Sequence, residues 1–110
     1  MLKNSTFVKI RVVAPASHAE KIREALSASG AGTMGKYDSC SFSYPVTGRF
    51  RPQPGARPVI GKVGQLETVA EEVIEVICHR DKVAAVIATV KKAHPYEEPA
   101  IDIMPRFELQ

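Results

Sequence analysis

The stretch from Phe7 to Val13 dictates its own geometry, with Val8, Ile10 and Val12 on one side and Lys9 and Arg11 on the other. Successive side chains of an extended strand point to opposite faces, so this period of two predicts a strand with one buried face. Such a strand needs a second layer against its apolar side. Pro15 interrupts the alternation, and Ser17 with Glu20 three residues later predicts a capping box that opens a helix near Ser17. Ala19, Ile22 and Leu26 form the apolar stripe of that helix, and Gly30 is placed to end it.

The remainder of the chain repeats this order. Asp38, Cys40, Phe42 and Tyr44 alternate with Ser39, Ser41 and Ser43, which predicts a second strand, and Val73 to Cys78 reads as a third. Asp81 is placed to cap a second helix with the stripe Val83, Val86, Ile87 and Val90, and Lys91, Lys92 and His94 meet the negative end of its dipole. Pro95 stops that helix, and Ile101 and Ile103 flank Asp102 in a last strand. Two helices on one face of a four-stranded, mainly antiparallel sheet bury all of these stripes economically. That is an α+β, ferredoxin-like split βαβ sandwich. At 110 residues, positions 1–110 are expected to form a single domain, and 45% hydrophobic against 25% charged residues excludes a disordered chain.

The run Gly30-Ala31-Gly32-Thr33-Met34-Gly35 matches G-x-G-x-x-G, yet it follows a helix and precedes a strand. A dinucleotide-binding turn has the reverse order, so these glycines are expected to cap the helix and make a tight connection. Further on, no acidic residue occurs between Asp38 and Glu67, while Arg49, Arg51, Arg57 and Lys62 all fall there among prolines and glycines. This basic excursion is expected to be a shaped loop, or a hairpin arm in which Gly48 supplies a positive-φ turn residue. Arginine's planar fork suits a phosphate or carboxylate, so Arg49, Arg51, Arg57 and Lys62 are candidate anion-binding residues beside the alternative of a solvated loop.

The densest chemistry lies in His94-Pro95-Tyr96-Glu97-Glu98-Pro99, held between two prolines. His94, Glu97 and Glu98, with Glu75 or His79 brought alongside by the sheet, form a candidate divalent-metal site, because imidazole nitrogen and carboxylate oxygen both suit such ions. The competing reading makes His94 a helix C-cap partner, packs Tyr96 under the turn and leaves the glutamates solvated. No nucleophile with its base is evident, which disfavours an enzyme acting alone. Nucleic-acid binding is disfavoured as well, since Phe50 is the one aromatic residue within the basic stretch.

Cys40 and Cys78 are isolated, the N-terminus lacks the apolar core of a secretory signal, and no apolar run approaches the roughly 20 residues of a membrane helix. A cytoplasmic setting is therefore expected, away from membranes.

The glycine run continuing to Phe42, then Gly48-Arg49-Phe50-Arg51-Pro52, Gly55 to Gly61, Glu67, Glu72, Glu75 and His94 to Ala100, together resemble the inserted domain of the Nif-three-like (NGG-interacting factor, cyclohydrolase-like) family. The resemblance spans about residues 7 to 104. That domain is similar to the PII signalling and CutA divalent-cation-tolerance proteins, which are ferredoxin-like and trimeric. In the family's full-length members a two-metal site lies in flanking halves with no counterpart in this sequence, so the resemblance carries none of those ligands onto it. Lys36, where the family often has asparagine, and Arg57 add positive charge to the family's pattern. The resemblance implies a PII/CutA-like oligomeric binding or regulatory module, preferably a trimer, that takes a small anion or a divalent metal. The alternative is a small metal-dependent hydrolase that uses His94, Glu97 and Glu98.

Overall fold

The alternating N-terminal stretch becomes the central strand β1 (Leu2–Pro15), longer at both ends than its periodicity alone marks. The computed structural model describes all residues 1–110. Helix α1 (Ala19–Ala28) follows, then strand β2 (Phe42–Phe50), strand β3 (Glu67–His79), helix α2 (Val83–Ala93) and strand β4 (Ala100–Leu109). The sheet order is β2-β3-β1-β4, and all three pairings are antiparallel. The split βαβ arrangement is therefore present, with both helices on one face.

That face holds the core. Val8, Ile10 and Val12 of β1 pair with Cys78, Val76 and Ile74 of β3 and meet Ile22 and Leu26 of α1 and Val86 and Val90 of α2 in one buried cluster. Val83 and Ile87 pack at its margin, so the whole predicted stripe of α2 faces inward. Cys78 lies within the cluster, and burial raises its thiol pKa. Both cysteines are free. No helix is long and apolar enough to cross a membrane.

Local capping departs from expectation at both helix starts. The Ser17–Glu20 box does not form, because Ala16–His18 makes a 3-10 turn after Pro15 and α1 opens only at Ala19. Ser17 Oγ lies 3.0 Å from His18 Nδ1, and Glu20 turns instead to Arg23, 3.0 Å away. Arg23 in turn reaches Glu72 of β3, which ties α1 to the sheet. Asp81 does not cap α2 either. It sits inside a 3-10 turn, Arg80–Lys82, whose cap is His79, and the Asp81 N–H donates to His79 Nδ1 at 3.2 Å.

The second strand is displaced as well. It begins at Phe42 rather than Asp38 and runs through Pro45 and Gly48 to Phe50 as one long arm paired with β3. Pro45 is tolerated because β2 is an edge strand and needs hydrogen bonds on one side only. Gly48 is not a positive-φ turn residue, since it lies in extended backbone opposite Val69. The glycine run is a helix stop and a tight connection. Gly30 adopts φ +104° just after α1, and Gly32, at φ +80°, donates its N–H to Ile77 O at 2.8 Å and accepts from Cys40 N–H at 2.9 Å.

Ile10 and Ile103 face each other across β1 and β4, but Ile10 is fully buried and Ile103 is 51% exposed. Replacing Ile10 by Ala should cost about 2–5 kcal/mol in urea unfolding, and Ile103→Ala less than about 1 kcal/mol. A Cβ at Gly32 would stand 2.6 Å from the Cys40 carbonyl oxygen in backbone that disfavours side chains. Gly32→Ala should therefore lower stability by about 1–3 kcal/mol in the same assay.

Candidate functional site

The junction between α2 and β4 is built on His94. Pro95 bars the preceding residue from helical backbone, and His94 accordingly takes φ −78° and ψ 134°. Its own N–H still donates to Val90 O at 2.9 Å, closing the helix. The ring is 7% exposed and uses both nitrogens. Nδ1 accepts from Tyr96 N–H at 3.1 Å, so Nε2 carries the proton and donates to Val13 O at 2.7 Å. A neutral imidazole thus clamps the junction to β1. It also packs on the Tyr96 ring, with centroids 5.1 Å apart.

The clamp folds residues 94–100 over the face of the sheet that the helices leave open. From the other side the loop between β2 and β3 arrives, shaped by turns such as Gly64 N–H to Pro52 O at 2.8 Å. The two segments meet where Arg57 N–H donates to Glu97 Oε1 at 3.2 Å. Between them lies a cleft of about 430 Å³. Val13 and Ala100 of the sheet form its base, Phe50, Pro52 and Ile60 its apolar walls, and Arg49, Arg51, Glu97 and Glu98 its charged groups. Val73 is fully buried on this side while standing outside the core cluster, so this part of the open face is already covered.

Two residues that sequence patterning did not single out complete the cleft. Glu71 is only 7% exposed, and Tyr96 buries its hydroxyl without a hydrogen-bond partner. Burial pushes the Tyr96 phenol up to about 12, and the nearby Glu71 carboxylate adds to the shift. The two groups act on each other through charge without meeting at hydrogen-bond geometry. Gly48 explains how Glu71 fits, because a Cβ there would overlap the Glu71 carboxylate. One signal for this residue was available in the sequence. Glu71 and Glu72 are adjacent in a strand, so one carboxylate must point to each face. Glu72 finds Arg23 on the helix side, and Glu71 faces the cleft.

The candidate residues therefore separate. Arg49, Arg51, Glu97 and Glu98 converge on the cleft, Arg57 reaches it through its backbone, and Lys62 lies in the loop, where its carbonyl accepts from Gln65 N–H. Glu75 stands elsewhere on the open face, 3.4 Å from Lys9 Nζ and 2.9 Å from the Tyr44 hydroxyl. The Tyr44 hydrogen bond, followed by Lys9, holds its carboxyl below the usual range. His79 packs edge-on against Phe7 with centroids 5.3 Å apart. No three histidine, cysteine, aspartate or glutamate side chains converge in a geometry that would hold a metal ion.

Because its folded-state pKa lies above the unfolded value of about 10, the Tyr96 phenol favours the fold below pH 10 and loses that contribution as pH rises toward about 12. Ultraviolet titration of phenolate should show a late step near pH 12 that Tyr96→Phe removes.

No protein-family model matches the chain. A protein from Halalkalibacterium halodurans described as a GTP cyclohydrolase 1 type 2 homolog is 45% identical over 97 residues, 88% of this chain and 26% of the relative. A Bacillus cereus protein related to NIF3 superposes with a TM-score of 0.79 at 40% identity, covering 96% of this chain and 26% of that one. The chain thus spans about a quarter of the length of these relatives. The periplasmic divalent cation tolerance protein CutA from Archaeoglobus fulgidus superposes over 91% of this chain and 83% of its own, at a TM-score of 0.64 and 25% identity. At this level of identity over nearly all of its length, the chain is a homologue of one segment of the NIF3-related proteins, and it has the ferredoxin-like fold of CutA.

Proposed function

We propose that this chain is a small oligomeric binding or regulatory module whose ligand enters the cleft between the β2–β3 loop and the His94–Ala100 junction, with an anionic group held by Arg49 and Arg51. The observation that carries this reading is the convergence of both arginines on one partly apolar cleft of about 430 Å³. That volume falls within the range of small-molecule sites, about 300–1,000 Å³. Exposed arginines beside apolar walls can keep their forked donors for a ligand, because no carboxylate lies in ion-pair contact with either. A divalent metal on Glu97 and Glu98, or a hydrolase built on it, would have to work without the His94 ring, whose two nitrogens hold the backbone.

Assembly follows from the sheet. Both edge strands carry exposed apolar side chains, Phe42 and Tyr44 on β2 and Phe107 and Leu109 on β4. Open edges with apolar residues are satisfied by a second copy of the chain, and a closed ring of three is the preferred form. Two free cysteines fit a reducing, cytoplasmic setting.

Titration calorimetry with inorganic pyrophosphate should give a saturable signal that Arg49→Ala and Arg51→Ala each weaken by about tenfold, while melting temperature stays within a few degrees. Absence of binding by the native chain would sink the anion reading. Light scattering should return a mass near three times 12.0 kDa, and Phe42→Asp combined with Phe107→Asp should shift it toward a single chain. A native mass of one chain would refute the assembly.

A further inference from the structure

The cleft contains a demand that the arginines do not answer. Glu71 is a carboxylate withdrawn from water at 7% exposure. The ion pairs of the chain use Glu20, Glu72, Glu75, Asp81, Asp102 and Glu108, and none uses Glu71. Beside it the Tyr96 hydroxyl is buried and unpartnered. An unpaired buried carboxylate and an unmatched phenol both oppose folding, and an apolar side chain at position 71 would relieve the cost. Their presence together at the base of an open cleft is the signature of groups kept free for something that binds.

The chemistry of the missing partner can be read from the two groups. A carboxylate accepts hydrogen bonds and favours N–H donors, and two adjacent donors can take both of its oxygens. The Tyr96 hydroxyl can donate to an acceptor next to those donors. Phe50 and Tyr96 stand edge to face, with centroids 5.9 Å apart, and with Pro52 and Ile60 they give the space between them apolar, aromatic walls suited to a flat ring. Arg49 and Arg51 supply positive charge to the same cleft.

We infer that Glu71 and Tyr96 read the N–H donor edge of an amino-substituted heterocycle whose anionic arm is held by Arg49 and Arg51, so that the cleft takes a nucleoside-phosphate type of ligand. This rests on the anion-binding reading of the same cleft and adds the second half of the ligand to it. Gly48 belongs to the device, since any side chain there would displace the Glu71 carboxylate.

The test compares ribose 5-phosphate, which keeps only the anionic arm, with the 5′-monophosphates of adenosine, guanosine, cytidine and uridine, by calorimetry on the full chain. At least one of the three amino-bearing nucleotides should bind about tenfold or more tighter than ribose 5-phosphate, and the uridine compound, which lacks the amino group, should show no such gain. Glu71→Gln should erase the gain and leave ribose 5-phosphate binding unchanged, whereas Arg51→Ala should weaken all of the probes alike. If ribose 5-phosphate binds and no nucleotide binds tighter, the donor-edge inference is overturned and the anion reading stands. If no probe binds, both fall. Glu71→Gln should melt at or above the native temperature, because it removes an unpaired buried charge. A lower melting temperature with the nucleotide preference intact would make Glu71 a structural residue and overturn the inference.

Discussion

The fold depends on the position of β1 between two antiparallel neighbours. Ladders with β3 on one side and β4 on the other satisfy its backbone, which lets a central strand be buried without losing hydrogen bonds. Its apolar face then becomes the surface on which both helices sit, with Ile10 and Val12 fully buried beneath them. Because side chains alternate, the same strand presents Lys9, Arg11 and Val13 to the opposite side. Core and cleft are therefore two faces of one strand. The His94 clamp on the Val13 carbonyl connects them, since it fixes the turn that roofs the cleft to the strand that organises the core.

The open face divides into two electrostatic regions. Near Lys9 and Glu75 the charges are paired: Lys9 and Tyr44 hold Glu75, and Arg11 lies 3.3 Å from Asp102. Partly exposed pairs of this kind add little stability. In the cleft the pattern reverses, with arginines and a buried carboxylate near one another and unpaired. Unpaired groups in a sheltered space interact strongly with whatever enters, because less water screens them. The paired region stabilises the surface, while the unpaired region is available for recognition.

Much of this architecture was legible in the chain. The stripes of α1 and α2 and the alternation of β1 identified the buried face residue by residue, because burial on a regular element repeats with the period of that element. Caps and boundaries were less legible. Ser17 and Asp81 are chemically able to cap, but 3-10 turns after Pro15 and His79 shift each helix start by a fraction of a turn and leave the side chains out of reach. The start of β2 was misjudged because Asp38 to Cys40 alternates in sequence while its backbone is used to turn, with Ser39 at φ +57°.

The site was legible in composition and hidden in geometry. Its arginines and the Glu97-Glu98 pair stood out as charged residues in a rigid setting, and they do share the cleft. Sequence by itself determined the order of elements, the apolar faces and the residue types available for chemistry, because all of these are set by local covalent geometry and hydrophobic periodicity. Tertiary structure alone decided which of those residues meet. Cross-strand register set Glu71 beside Gly48, two backbone bonds engaged both nitrogens of His94, and loop closure set Arg49 and Arg51 against Tyr96. These meetings join positions distant along the chain, and their free energies exist only once the sheet has formed.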